Sequence, residues 1–151
     1  MVVHYRSLRN LTEDTLRWSA ELPKDFDLIV GIPRSGMLVA NLLSLFLNVP
    51  YADLDGFCEG RVIGTGERGR FFRRSNGARM GQTRKILVVD DSVASGSAME
   101  AARKRIAFAP TNALVEYGVL YVTPEKRAFI QHHFLAIPTP RIFAWNLLHS
   151  W

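Results

Sequence analysis

Cysteine is almost absent from this sequence of 151 residues, which contains Cys58 and no other. A single cysteine cannot form a disulfide within the chain, so the class of small domains held together by disulfides is excluded. The scarcity also favours a reducing compartment. We interpret Cys58 as a packing residue rather than a nucleophile.

Long hydrophobic runs are also absent. The longest mainly apolar stretch extends from Met37 to Val49 and is interrupted by Asn41, Ser44 and Asn48, whereas a helix needs roughly 20 apolar residues to span a bilayer. The first residues lack the pattern of a secretory signal peptide. We therefore expect a cytoplasmic protein with no membrane partner, in which this stretch is a buried helix.

Acidic residues are scarce between positions 61 and 85, where eight Lys and Arg residues accompany one acid, Glu67. The whole chain has 19 basic and 14 acidic residues, so the remainder has 11 basic and 13 acidic ones, and this segment accounts for the net charge of +5. Residues 56–83 also hold seven of the eleven glycines. This composition predicts a flexible basic loop that attracts a polyanion, either a nucleic acid or a small substrate with several phosphate groups.

The pattern of apolar and polar residues predicts alternating helices and strands. Thr12 is expected to cap a helix over residues 13–21, because acids follow it in the first turn. The other predicted elements are strands at 26–30, 50–54, 85–89 and 113–122, and helices at 37–47 and 97–108. Strands that alternate with helices are typical of a parallel sheet in an α/β domain, with ligands at the carboxyl ends of the strands.

The segment from Lys85 to Met99 is the most informative part of the chain. Its apolar residues 86–89 predict a buried strand that leads to Asp90 and Asp91. A loop of small residues and the start of a helix follow. Small side chains let backbone N–H groups approach a ligand closely, and the N–H groups of a helix N-terminus favour a phosphate group. Carboxylates can accept hydrogen bonds from sugar hydroxyls, so the segment predicts a sugar-phosphate site. The small residues are Ala94, Ser95, Gly96, Ser97 and Ala98.

Two other interpretations fit parts of this segment. The acids could serve as turn formers or caps at the solvated end of an ordinary strand, although the Ser-Gly-Ser turn favours a binding site. A response-regulator receiver domain begins with a similar strand. That fold needs a phosphoacceptor Asp on a later strand, and no Asp follows Asp91, so we exclude it.

A second candidate anion site is the sequence from Gly31 to Gly36, GIPRSG, which joins a predicted strand to a predicted helix. Its N–H groups, including those of Ser35 and Gly36, and the forked guanidinium of Arg34 are suited to phosphate. The Gly-Lys-Ser/Thr of a Walker loop is missing, which argues against a nucleoside triphosphatase. An ordinary Gly-Pro turn with a surface Arg is the alternative.

Residues 85–99 resemble the signature with which type I phosphoribosyltransferases bind phosphoribosyl pyrophosphate (PRPP). Asp90 and Asp91 match the acidic pair, Ser95 stands for the first Thr, Gly96 matches, and Ala98 replaces the closing Thr. The resemblance implies an α/β, single-domain, parallel-sheet type I phosphoribosyltransferase fold over residues 1–151. It also implies a flexible basic loop at about 56–83 and a small C-terminal hood at about 131–151.

The activity that this resemblance implies is that of a pentosyltransferase of nucleotide metabolism. With Mg²⁺, it would transfer phosphoribose from PRPP to a nitrogen base, releasing pyrophosphate and giving a nucleoside 5′-monophosphate. Asp90 and Asp91 would be the catalytic acids that hold the ribose, with Mg²⁺ bound near them through PRPP and water rather than directly by the protein. Residues 94–98 would hold the 5′-phosphate. The pyrophosphate would be held by Arg34, Ser35 and Gly36.

The tail from Gln131 lies where purine-type members of the family carry a base-binding hood. Phe143 or Trp145 could stack on the base, and packing of these aromatics in the core is the alternative. Hypoxanthine–guanine members have an Asp where this chain has Ala94, so the acceptor base is left open. The resemblance also implies a homodimer.

A rival hypothesis keeps the fold and changes the function. In this alternative the protein is a non-catalytic regulator that senses PRPP or a nucleotide and binds RNA or DNA through its basic loop. We favour the enzyme, whose partners are PRPP and a nucleobase and not a nucleic acid.

Overall fold

The computed structural model describes residues 1–63 and 85–147. The elements in these ranges are β1 (His4–Arg6), α1 (Leu8–Glu21), β2 (Leu28–Gly31), α2 (Gly36–Leu47), β3 (Tyr51–Asp53), α3 (Leu54–Cys58), β4 (Lys85–Val93), α4 (Ser97–Ala107), β5 (Leu114–Val122), a 3₁₀-helix (Pro124–Phe129), β6 (His132–Ala136) and β7 (Arg141–Phe143).

Five strands form one parallel sheet in the order β3-β2-β4-β5-β6, so β4 is its central strand. Val88 of β4 lies opposite Val30 of β2 on one side and Tyr117 of β5 on the other. A separate two-stranded parallel sheet pairs β1 with β7, with Tyr5 opposite Ile142. The predicted α/β architecture with a parallel sheet is confirmed.

The core has two parts, one on each face of the sheet, because successive strand residues point to opposite faces. Ile86 and Val88 of β4 pack with α3 and α4, in a cluster that includes Phe57 and Met99. The neighbouring residues Leu87 and Val89 pack with α1 and α2, in a cluster that includes Trp18 and Leu43. A central strand buried on both faces explains the unbroken apolar run that marked it in the sequence.

The largest differences from the predicted boundaries are at the start of α1 and the end of β4. Helix α1 begins at Leu8, and its N-cap is Ser7, whose hydroxyl accepts a hydrogen bond from the Asn10 N–H at 3.1 Å while Asn10 Oδ1 accepts from the Ser7 N–H at 2.9 Å. Thr12 lies inside the helix and donates to the Leu8 carbonyl. Strand β4 does not end at Val89, because its pairing with β5 continues to Val93.

The predicted loop and hood also differ from the structure where they are described. The start of the loop is helical, because Leu54–Cys58 form α3, capped by the carboxylate of Asp53. Residues 64–84, most of the predicted basic loop, lie outside the described residues. The predicted hood begins in the sheet, since His132–Ala136 form its edge strand β6. No helix among the described residues is long and apolar enough to cross a membrane.

Candidate active site

Asp90 and Asp91 lie at the carboxyl end of the central strand, where the alternation of side chains places them toward opposite faces of the sheet. Their side chains are buried, with exposed fractions of 6% and 3%. Burial on this scale contradicts the interpretation of the pair as solvated turn formers. The Asp90 Oδ1 atom accepts a hydrogen bond of 2.8 Å from the N–H of Asp91.

The protonation of Asp90 follows from its burial. The pKa of Asp90 is raised to about 9. The largest cause is desolvation of the buried carboxyl group, and the adjacent Asp91 adds to the shift. A buried carboxyl group that keeps its proton at neutral pH is unusual outside functional sites. A positive charge placed beside this carboxyl group would lower its pKa and favour the ionised form.

Asp91 joins three separate segments of the chain. Its Oδ1 atom accepts a hydrogen bond of 2.8 Å from the hydroxyl of Ser35, in the loop after β2. Its Oδ2 atom accepts a hydrogen bond of 2.7 Å from the indole Nε1 of Trp145, in the segment after β7. The candidate ribose acid, the candidate pyrophosphate loop and a candidate base-binding residue thus lie together at one carboxylate.

Gly36 begins helix α2 directly against the acidic pair. A Cβ atom at this position would lie 2.9 Å from Asp90 Oδ1 and 3.0 Å from the Val89 carbonyl oxygen, closer than side chains pack. Only glycine therefore lets the N-terminus of α2 approach the end of β4 in this way. The positive end of the helix dipole and its N–H groups lie beside the two acids.

Arg34 and Ser35 border a cavity of about 720 Å³ at the N-terminus of α2. Trp145 and residues after β7 form its other wall, together with Leu38 from α2. Arg34 is exposed, and the peptide bond between Pro33 and Arg34 is cis. A permanent positive charge and a helix N-terminus at one cavity favour an anionic ligand.

The small-residue loop after β4 leads into α4 through Gly96, whose φ of +89° is in the left-handed region. The hydroxyls of Ser95 and Ser97 are 3.0 Å apart, and the Ser97 N–H donates to the Ser95 hydroxyl at 3.3 Å. The side chains of these two residues and of Ala94 and Ala98 are exposed. The loop presents hydroxyls and helix N–H groups at one place, as a phosphate site requires.

A cleft of about 360 Å³ lies beside this loop. Ser95, Gly96 and Ser97 line one side of it, whereas Ala94 and Ala98 do not belong to its lining. Lys126 and Phe129 of the 3₁₀-helix line the other side. The sequence does not mark these two residues as site residues. Their position just after β5 could have indicated them, because β5 is the neighbour of β4 and the carboxyl ends of parallel strands share one edge of the sheet.

The two aromatic candidates differ in their surroundings. Phe143 is 6% exposed and stacks on Tyr121, with ring centroids 5.5 Å apart, so it packs in the core as the alternative interpretation expected. Trp145 is half-buried and stacks on Phe143 at 4.9 Å. Trp145 is thus the aromatic candidate that borders a cavity.

A hydrogen bond anchors this aromatic cluster to α1. The Tyr121 hydroxyl donates to Asp14 Oδ2 at 2.6 Å, and burial, with the nearby carboxylate, raises the pKa of Tyr121. Arg6 of β1 lies over the Tyr121 ring, with its guanidinium carbon 5.7 Å from the ring centroid. The ring of Tyr121 is therefore fixed from two sides beneath the site.

The described residues contain no cluster of three or more His, Cys, Asp and Glu side chains that could hold a metal ion. Asp91 accepts a hydrogen bond from Ser35 of one candidate anion loop, and the acidic pair directly precedes the segment that leads into the other. A divalent cation at this place would need further oxygen ligands from substrate and water, which is the usual situation for Mg²⁺.

The acidic pair and both candidate anion loops lie at the carboxyl edge of the parallel sheet, which is where α/β proteins of this architecture bind their ligands. The family model described as the phosphoribosyl transferase domain matches residues 5–149. The chain therefore belongs to the phosphoribosyl transferase domain family, whose enzymes are pentosyltransferases that act in nucleotide metabolism. No curated protein matches it.

Solved structures share the fold at low sequence identity. Xanthine-guanine-hypoxanthine phosphoribosyltransferase from Helicobacter pylori is 19% identical, with a TM-score of 0.66 over 95% of this chain and 92% of its own. Purine phosphoribosyltransferase from Pyrococcus horikoshii is 16% identical, with a TM-score of 0.68 over 96% of this chain and 95% of its own. A hypothetical protein from Neisseria gonorrhoeae with bound ppGpp is 16% identical, with a TM-score of 0.66 over 99% and 93%. At these identities the likeness is one of fold.

Proposed function

We propose that this protein transfers phosphoribose from PRPP to a nitrogen base in the presence of Mg²⁺, releasing pyrophosphate and forming a nucleoside 5′-monophosphate. The observation that carries the proposal is the convergence of the acidic pair, the Ser35 loop and the small-residue loop at one edge of the sheet. A sugar that carries both a phosphate and a pyrophosphate needs one acceptor site between two anion sites. This arrangement offers a candidate for each of the three, which supports the proposal.

The residues of the two loops divide the phosphate groups between them. Ser95, Gly96 and Ser97 hold the 5′-phosphate with hydroxyls and the N–H groups of α4, flanked by Ala94 and Ala98. Arg34, Ser35 and the N-terminus of α2 at Gly36 hold the pyrophosphate, which gains negative charge as it leaves. Donors and positive charge placed before the reaction stabilise that developing charge without reorganisation.

Asp90 and Asp91 hold the ribose hydroxyls between these loops, and Mg²⁺ is the cofactor of this proposal. The acids are suited to accept hydrogen bonds from sugar hydroxyls and from metal-bound water, and the buried proton of Asp90 can leave when a cation approaches. When bound through PRPP and water, Mg²⁺ neutralises charge on the pyrophosphate.

Trp145 is the proposed contact of the acceptor base, because it is half-buried and borders a cavity. We do not assign this role to Phe143, which lies in the core. Lys126 adds a positive charge beside the phosphate loop. The remaining proposals are a homodimer in the cytoplasm and closure of the basic loop, whose residues 64–84 lie outside the described ones.

The alternative function is a regulator of the same fold that senses PRPP or a nucleotide and binds RNA or DNA. One observation favours nucleotide binding, namely that the Neisseria gonorrhoeae neighbour was solved with bound ppGpp. The small-residue loop and Arg34 would bind such a nucleotide's phosphates as well as they would bind PRPP. Turnover of PRPP and binding of RNA or DNA separate the two functions.

The deciding experiment measures pyrophosphate release from PRPP with purine bases and orotate, with Mg²⁺ and with a chelator. We expect Mg²⁺-dependent release of pyrophosphate with one class of base. Replacing Arg73 and Arg74, two arginines of the predicted basic loop, by alanine should lower kcat more than it weakens PRPP binding, because loop closure acts at the transition state. Absence of turnover with every base, together with RNA or DNA binding that falls steeply as salt rises, would support the regulator instead.

A further inference from the structure

The hydrogen bond between Trp145 and Asp91 has a consequence for the proposed function, on which the following inference rests. Both carboxylate oxygens of Asp91 are held, Oδ1 by the Ser35 hydroxyl at 2.8 Å and Oδ2 by the Trp145 indole at 2.7 Å. The donors come from different segments, so the carboxylate plane cannot turn without breaking one of the bonds. A carboxylate has about four lone-pair sites, and the remaining two can accept sugar hydroxyls.

The indole itself is held by a stack of rings that extends to a residue of α1. Trp145 stacks on Phe143 with ring centroids 4.9 Å apart and an interplanar angle of 17°. Phe143 stacks on Tyr121 with ring centroids 5.5 Å apart and an interplanar angle of 14°. The Tyr121 hydroxyl then donates to Asp14 on α1 at 2.6 Å. Because Phe143, Tyr121 and Asp14 are all buried, the indole N–H is aimed by packed, rigid neighbours.

Burial makes the direction of the Asp91 carboxylate depend on such donors. Asp91 is 3% exposed, so the orientation of its carboxylate depends mainly on protein donors, and loss of one donor leaves a buried oxygen without its partner. A carboxylate that has lost one of two opposed donors turns toward the other. Its free lone pairs then lose the direction that the two hydrogen bonds together impose.

We propose that Trp145 is a positioning residue for Asp91, whose indole N–H holds the carboxylate in the orientation that accepts the ribose hydroxyls of PRPP. This role is separate from any contact between the indole ring and the base. It assigns to one residue of the C-terminal segment a part in PRPP binding, which sequence interpretation gave only to the two loops and the acids.

The variant Trp145→Phe separates the two roles, because phenylalanine keeps an aromatic face and lacks the N–H donor. In calorimetric titration with PRPP and Mg²⁺, we expect its Kd to rise about tenfold, the effect of one hydrogen bond to a charged group. The KM for the base should change by less than about twofold, since a stacking face remains. Trp145→Leu removes donor and ring, and should raise both constants.

The matched control is Trp18→Phe. Trp18 is a buried tryptophan of α1 in the same core cluster, outside the site. Its replacement should lower the melting temperature through the cavity that it leaves, with PRPP affinity unchanged. If Trp145→Phe binds PRPP as tightly as the unaltered protein, or more tightly, the positioning role is overturned.

A second measurement tests the hydrogen bond without any ligand. The chain has three tryptophans, and the indole signal missing from the ¹⁵N–¹H spectrum of Trp145→Phe identifies that of Trp145. In Asp91→Asn this signal should move upfield, because a neutral amide is a weaker acceptor than a carboxylate. An unmoved signal overturns the inference.

The two measurements keep this inference distinct from the proposed function. If the unaltered protein binds no PRPP, the proposed function fails and the role in ribose binding fails with it, whatever the spectrum shows. If the unaltered protein binds PRPP and Trp145→Phe binds it equally well, the proposed function stands and only the positioning role is lost.

Discussion

The hydroxyl of Ser35 donates a hydrogen bond of 2.8 Å to Asp91 Oδ1, across 56 positions of the sequence. Ser35 lies after β2 and Asp91 near the end of β4, and these strands are neighbours in the parallel sheet. Parallel strands bring their carboxyl ends to one edge, so residues far apart in the chain meet there. The bond links the candidate pyrophosphate loop to the candidate ribose acid, so a displacement of the loop would also shift the Asp91 carboxylate.

Replacing Asp91 by asparagine should weaken the binding of PRPP with Mg²⁺ by about 1–3 kcal/mol, because the site loses a charged acceptor. Calorimetric titration gives the affinity, and circular dichroism verifies that the variant is folded. Glu21→Gln, which neutralises an exposed acid at the end of α1, is the control and should bind normally. Equal affinity of the two variants would remove Asp91 from the site.

Replacing Gly96 by alanine should reduce the free energy of unfolding by about 1–2 kcal/mol, because a side chain is strained at a φ of +89°. Gly60→Ala is the matched control for backbone strain, since Gly60 has a φ of +80° and equal space for a Cβ, and it lies in the turn after α3 rather than in the small-residue loop. Chemical denaturation should show similar losses. Only Gly96→Ala should weaken binding of ribose 5-phosphate, and a similar loss in Gly60→Ala would argue against the phosphate loop.

The pKa of Asp90 makes stability depend on pH. In the folded protein it is raised from 3.8 to about 9, so between these values the folded chain keeps a proton that the unfolded chain releases. The contribution of Asp90 to stability is fully present below about pH 4 and is lost as the pH rises toward 9.

Asp90→Asn tests this dependence, because asparagine cannot ionise and can still accept the hydrogen bond from the Asp91 N–H. The variant should melt at a higher temperature than the unaltered protein at about pH 8, and the difference should shrink as the pH falls toward 4. Thermal denaturation across this range measures it. A difference that stays constant with pH would mean that Asp90 is ionised in the folded protein.

The cap of α1 can be tested with two alanine variants. Ser7→Ala removes the hydroxyl that accepts from Asn10 and should lower the free energy of unfolding by about 0.5–2 kcal/mol. Thr12→Ala should cost less or even stabilise the protein, because Thr12 lies inside the helix, where alanine is the better residue. If Thr12→Ala lowered the free energy of unfolding more than Ser7→Ala does, Thr12 would be the cap, as the sequence predicted.

The elements and loops of the site that the sequence alone predicts are those marked by local chemistry. Residues 28–31 and 86–89 are buried strands because a parallel strand covered on both faces needs an unbroken apolar run. The Gly- and Ser-rich loops after them had to precede helices, and they do. These features depend on near neighbours in the chain, and a single sequence contains that information.

Other features depend on contacts between distant segments, which no local pattern encodes. Ser7 and Thr12 are both acceptable caps, and the backbone selects Ser7, which directly follows β1, the strand that pairs with β7. Phe143 and Trp145 are similar aromatic residues two positions apart. Phe143 is the last residue of β7 and is buried on Tyr121, whereas Trp145 lies beyond the strand and is half-buried with its N–H on Asp91. Contacts with β5 and β4, which are distant in the sequence, decide this difference.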